Sequence, residues 1–191
     1  MSTITLAALA ESIVLGIALA MDAMAVTLSN SLCEPDIPLS KKLGMPIAFA
    51  AFQMGMPVLG YLGGTCIAEY IERYAGIVSL VILAFVGGKM IVEAVRELRE
   101  PEACPATRLT WGTIGMEAIA TAIDAFVVGV SFAAEGKDVV LYCGMIGVTT
   151  LLCCLLVLAL GRKLGSRFGP RAEVVGGVVL ILIGLKAFLG L

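Results

Sequence analysis

Six stretches of mostly apolar residues, each long enough for one bilayer crossing, leave this chain little choice of solvent. A membrane helix needs about 20 such residues, and the stretches run Leu6–Ser29, Leu43–Leu62, Tyr74–Val92, Thr113–Ala134, Val139–Gly161 and Val174–Leu189. The loops between them are short, hold most of the charge, and leave no room for a separate aqueous domain. Residues 1–191 therefore read as a single transmembrane domain. Apolar side chains make up 60% of the chain and charged ones 15%, too little polar surface to clothe a soluble domain of this size. No Lys or Arg precedes the first apolar run, so that run reads as a retained span rather than a removable signal.

Several function classes are excluded at this stage. The net charge of −2 argues against nucleic acid as a partner, and the absence of histidine removes His-based catalysis and His-containing metal sites. No phosphate-binding loop is present, so the chain does not read as an ATPase. The six cysteines have no C-x-x-C spacing and read as small apolar residues. Orientation follows from the bases. Lys41, Lys42, Arg96, Arg99, Arg108, Arg162, Lys163, Arg167 and Arg171 follow spans one, three and five, against Arg73 and Lys137 after spans two and four. The positive-inside rule puts the first group in the cytoplasm and both termini outside. Lys89 and Lys186 sit near span ends, where they can snorkel, Lys89 with Glu93 at i+4. Glu11 reads as an interfacial charge.

The chain also repeats itself. Ala20-Met21-Asp22-Ala23-Met24-Ala25-Val26 with Ser29 beyond matches Ala122-Ile123-Asp124-Ala125-Phe126-Val127-Val128 with Ser131 beyond, at an offset of 102. At an offset of 101, Gly60 and Gly64 fall on Gly161 and Gly165, Glu72 on Glu173, and Gly76 on Gly177. Residues 1–100 and 108–191 thus form two repeats of three spans. An odd number of spans makes the second enter the membrane from the opposite side. The expected fold is an all-α membrane protein of six transmembrane helices in two inverted three-helix repeats, with repeated features meeting near the midplane.

The repeated feature is an aspartate. Asp22 and Asp124 lie inside spans, at a cost of about 2.5–3.5 kcal/mol each on insertion scales, and neither has a base at i±3 or i±4. Ser29 at i+7 from Asp22, Ser131 at i+7 from Asp124, and Thr121 and Glu117 at i−3 and i−7 from Asp124 share a helix face with their aspartate. In span two, Pro57 frees the backbone oxygen of Gln53 beside its own amide. Carboxylates, hydroxyls and amide oxygens form a hard donor set suited to Mn²⁺, Mg²⁺ or Ca²⁺. Met21, Met24 and Met54 read chiefly as packing.

These residues, together with Gly87-Gly88-Lys89-Met90-Ile91-Val92-Glu93 and Ala172-Glu173-Val174-Val175-Gly176-Gly177, resemble the MntP-type manganese efflux pumps of bacterial inner membranes, within the lysine-exporter superfamily. The resemblance implies a multi-pass inner-membrane transporter that exports Mn²⁺ as substrate, has no resident cofactor, and uses Asp22 and Asp124 as essential residues. Metal ligands are then expected at Asp22, Asp124, Ser29, Ser131, Thr121, Gln53 and Glu117. Protons are the expected counter-substrate, because burial favours the neutral form of a carboxylate. An exporter of another divalent cation, or of a small organic cation or amino acid, is the alternative. An amino acid would also need a central basic residue for its carboxylate, and none is visible in the sequence.

Overall fold

In the computed structural model, residues 6–34, 36–65, 75–99, 109–164 and 168–189 are described. They form six helices, α1 (Leu6–Cys33), α2 (Leu39–Thr65), α3 (Ala75–Arg99), α4 (Trp111–Glu135), α5 (Val139–Leu164) and α6 (Phe168–Leu189), and no strand. Each expected span falls within one helix, save that Tyr74, the first residue of the third, lies outside the described residues. Four are long and apolar enough to cross a membrane by length and composition: Ala8–Cys33 of α1, Leu39–Thr65 as α2, Trp111–Glu135 as α4 and Val139–Leu160 of α5. The apolar part of α6, Val174–Lys186, is shorter, and α3 carries Lys89, Glu93, Arg96 and Arg99 in its second half. Cys66, Glu72, Arg73, Cys104, Arg108, Gly165 and Arg167 lie outside the described residues.

Local chemistry fixes the tight connection between α4 and α5. Thr110 opens α4 by accepting a hydrogen bond from the Thr113 amide at 3.1 Å. Gly136 closes it in the left-handed region at φ 64°, its N–H directed at the Phe132 and Ala133 carbonyls. Two residues later Asp138 Oδ1 accepts from the amides of Val140 and Leu141 and starts α5. One glycine and one aspartate therefore reverse the chain within three residues.

The helices pack through their smallest residues. α2 lies against α4, α1 against α5, and α3 against α6; α2 also meets α5, α1 meets α6, and α4 meets α3. Where α2 crosses α4, a side chain on Gly129 would strike the Pro57 backbone and one on Gly60 would strike the Phe126 carbonyl. Where α3 crosses α6, Gly87 and Gly177 each face the other's backbone. Such contacts suit a bundle whose helices gain nothing by hiding apolar surface from lipid and must instead pack closely. The interior holds Leu15, Leu19, Val86, Met90, Val128, Phe132, Ile146 and Leu180, while Phe85, Met116, Leu152 and Val140 point outward.

Pro57 is buried in an unbroken α2. Its contact with Gly129 gives it a packing role beside the freed Gln53 carbonyl expected from sequence. Cys33 also departs from expectation. It ends α1, past the apolar run, and is disulfide-bonded, whereas Cys143, Cys153 and Cys154 are free and lie within α5.

Candidate functional site

Polar contacts at both ends of α1 and α4 show that the two helices run antiparallel and set their register. Near the end of α1, Asn30 Nδ2 donates to Glu117 Oε2 in the second turn of α4 at 2.7 Å, and to Met45 Sδ at 3.5 Å. At the other end, Glu11 Oε1 of α1 accepts from Lys137, which follows α4, at 2.6 Å. Lys137 also pairs with Glu135 at 2.7 Å, and Lys186 reaches Glu11 at 2.7 Å. Asp22 lies eleven residues beyond Glu11, and Asp124 eleven before Glu135. At 1.5 Å per residue both stand about 16 Å from that end. The repeated aspartates occupy one depth.

Gln53 ties the helices together just beside them. Its amide nitrogen donates to the Leu19 carbonyl at 3.0 Å and to the Thr121 carbonyl at 3.2 Å. Leu19 is three residues before Asp22 and Thr121 three before Asp124, so a single amide from α2 binds the same position in both motifs. Gln53 is fully buried and its Oε1 has no hydrogen-bond partner among the described residues; the same is true of Asp124 Oδ2. Two buried acceptors with no protein donor among the described residues suit a cation or a proton.

Asp124 Oδ1 does have a partner. Lys89 of α3 approaches it at 3.2 Å, and its ammonium also feels the charge of Asp22. The snorkelling expected of Lys89 is corrected: its Glu93 contact at 3.8 Å is real, but the shorter bond points inward. The lack of a nearby base for the aspartates was true along each helix and false across the bundle. Lys89 is also the central basic residue that the sequence did not reveal, because its partner is 35 positions away. Lys186 and Glu11 do pair with each other near a helix end.

The remaining expected ligands divide. Thr121 and Ser131 are buried, and their hydroxyls donate to the Ala118 and Val128 carbonyls of their own helix, leaving oxygen lone pairs available. Ser29 is exposed and stands apart from this group. Glu117 sits toward the α1–α2 end with Asn30, about 10 Å along α4 from Asp124 by helix rise. Met54 is exposed and packs on Gly147. Among the described residues no three carboxylates or thiolates gather to hold a metal. Any cation between Asp22 and Asp124 would thus need neutral oxygens as well.

Lys137 closes the opposite end. Only 18% of its side chain is exposed, and its ammonium lies 5.2 Å from the Tyr142 ring centre and 6.0 Å from that of Phe132. Burial works against its charge, but the carboxylates of Glu135 and Glu11 outweigh that and hold it above the usual lysine range.

Known proteins resemble this chain along most of its length. Residues 36–188 match the family described as "Putative manganese efflux pump". A protein of Ruminiclostridium cellulolyticum named "Putative manganese efflux pump MntP" is 39% identical over 180 residues, covering 94% of this chain and 95% of that one. Its namesake in Methanosphaera stadtmanae is 38% identical, over 93% of this chain and 97% of that one. In Maridesulfovibrio salexigens a protein of the same name is 36% identical over 94% and 97%. No solved structure matches. With most of its length matched by the family and by relatives of similar size, the chain belongs to the MntP manganese efflux pump family.

Proposed function

We propose that this protein exports Mn²⁺ from the cytoplasm by alternating access of two inverted three-helix repeats. The observation that carries the reading is the pair of aspartates at one depth, beside a buried amide oxygen and a carboxylate oxygen that lack hydrogen-bond donors among the described residues. Asp22 and Asp124 are the core ligands, with Gln53 Oε1 and Thr121 supplying neutral oxygen; Ser131, about 10 Å along α4 from Asp124 on the side away from Glu117, we place on the outward path. We place Glu117 on the approach from the cytoplasm and Ser29 outside the shell. The names of the relatives favour manganese among the hard divalent cations.

Helix pairing supports the inverted repeat. Exchanging α1 with α4, α2 with α5 and α3 with α6 turns the α2–α4 contact into α5–α1 and the α1–α6 contact into α4–α3, and returns α3–α6 to itself. A two-fold relation in the membrane plane has this property. Protons are the proposed counter-substrate, since a proton can replace the metal on a buried carboxylate. Orientation follows the basic loops: Glu117 and Asn30 face the cytoplasm and the Lys137 cluster faces outward.

Lys89 gives one observation in favour of an amino-acid substrate, because it adds a cation beside the aspartates. One experiment separates the readings. Purified protein in liposomes is offered Mn²⁺, Mg²⁺, Ca²⁺, Zn²⁺ and Cd²⁺, with a pH dye reporting proton counterflow. Mn²⁺ movement is expected, with a loss of about tenfold or more in Asp22→Asn and Asp124→Asn. Equal Mn²⁺ flux in the wild type and both variants would remove the aspartates from the site, and basic amino acids moving in place of metal would reverse the choice of substrate.

A further inference from the structure

Lys89 stands where a cationic substrate would stand. Its ammonium touches Asp124, whose side chain is only 7% exposed, and feels Asp22. On its other side, 3.8 Å away and one turn along the same helix, lies Glu93, whose side chain is 57% exposed. One flexible side chain therefore spans a buried carboxylate and an open one.

Charge balance makes the metal and the ammonium rivals. Two aspartates and one ammonium leave a single net negative charge. Adding a divalent cation while Lys89 stays reverses that to a net positive charge, with both cations pressed against the same Asp124 carboxylate in a medium that screens poorly. Moving Lys89 to Glu93 leaves the aspartates and the metal neutral together.

We propose that Lys89 is a tethered counter-ion of the transport site: it occupies Asp124 when the metal is absent, and Mn²⁺ enters by displacing it onto Glu93. The proposal rests on the reading of Asp22 and Asp124 as metal ligands. Two properties follow. The metal-free carrier returns across the membrane with the Asp124 charge already paired and Asp22 left to take the counter-substrate proton, which lowers the barrier to that step. Monovalent ions are refused, because a tethered ammonium competes at high effective concentration and only a doubly charged ion gains enough from both aspartates to displace it.

The test measures Mn²⁺ binding to the purified protein in detergent, and net Mn²⁺ transport beside Mn²⁺/Mn²⁺ exchange in liposomes. Lys89→Gln is expected to bind Mn²⁺ roughly fivefold more tightly, and to lose net transport while keeping exchange, which never requires the empty site to return. Lys89→Arg should retain net transport. Glu93→Gln, at an exposed position that leaves the fold undisturbed, should bind Mn²⁺ several-fold more weakly because the displaced ammonium loses its second partner. Unchanged or weaker binding in Lys89→Gln overturns the proposal, as do equal losses of net transport and exchange. Should Lys89→Gln not fold, unchanged binding in Glu93→Gln overturns it alone. If Asp22→Asn and Asp124→Asn leave wild-type binding intact, the metal-site reading falls and takes this proposal with it. If they abolish binding while the Lys89 and Glu93 variants bind as the wild type does, only the counter-ion falls.

Discussion

Gln53 shows how one side chain can serve packing and chemistry at once. Its nitrogen satisfies two carbonyls on different helices while its oxygen is left over. Gln53→Leu keeps the volume and removes both hydrogen bonds, so it should destabilise the protein by about 1–3 kcal/mol, read as a lower melting temperature in detergent; an unchanged melting temperature would show the bridge to be dispensable. The sequence pointed to Gln53 through its neighbour Pro57, for a different reason, a freed backbone oxygen. The aspartates were legible because a carboxylate in an apolar run has no cheap explanation. Lys89 was not, since helical spacing reveals partners on the same helix and Asp124 is on another.

Adjacent glycines separate what a helix needs from what its crossing needs. Gly87 faces the Gly177 backbone, whereas a side chain on Gly88 meets nothing within 4 Å. Gly87→Ala must therefore push α3 from α6, at about 1–3 kcal/mol for overpacking. Gly88→Ala should be neutral or stabilise by up to about 1 kcal/mol through helix propensity. Comparing the two melting temperatures checks the crossing, and equal shifts would contradict it. Helix positions were readable from length and hydropathy, and four of the six helices are long and apolar enough to cross a membrane. Which glycine of a pair takes the contact was not, because that depends on the rotation of two helices about their own axes.

Across the whole molecule, charge is layered by depth. The Glu11, Glu135, Lys137 and Lys186 cluster joins α1, the α4–α5 turn and α6 at one end. The Lys137 pKa is raised above its ordinary 10.5, so the stability it contributes is fully present below that value and is lost as pH rises through the higher folded one. The melting-temperature gap between wild type and Lys137→Met should stay constant from pH 7 to about pH 10 and close above it. A gap that closes near neutrality would assign the effect to another group. Orientation is tested at the same scale. In a cysteine-free background, Asp36→Cys should label only from the cytoplasm and Asp138→Cys only from outside, and the opposite pattern would invert the protein. The all-helical class could be read from a single chain because apolar runs of bilayer length leave their mark in sequence. The lysine bridges could not, because they exist only once the helices have assembled.

One feature of the centre bears on energetics between the two faces. Leu19 and Thr121 are counterparts at the 102-residue offset, yet the amide that binds them comes from one half alone; Cys154 and Leu155 stand where a second glutamine would fall at the 101- and 102-residue offsets. A lone group at the meeting point of two matched motifs cannot treat them alike once they move. Under the alternating access proposed above, opening toward the cytoplasm and opening outward then have different energies even with no ion bound. In that proposed cycle two matched halves alone would balance like a seesaw; Gln53 weights one end and gives the metal-free protein a preferred resting face.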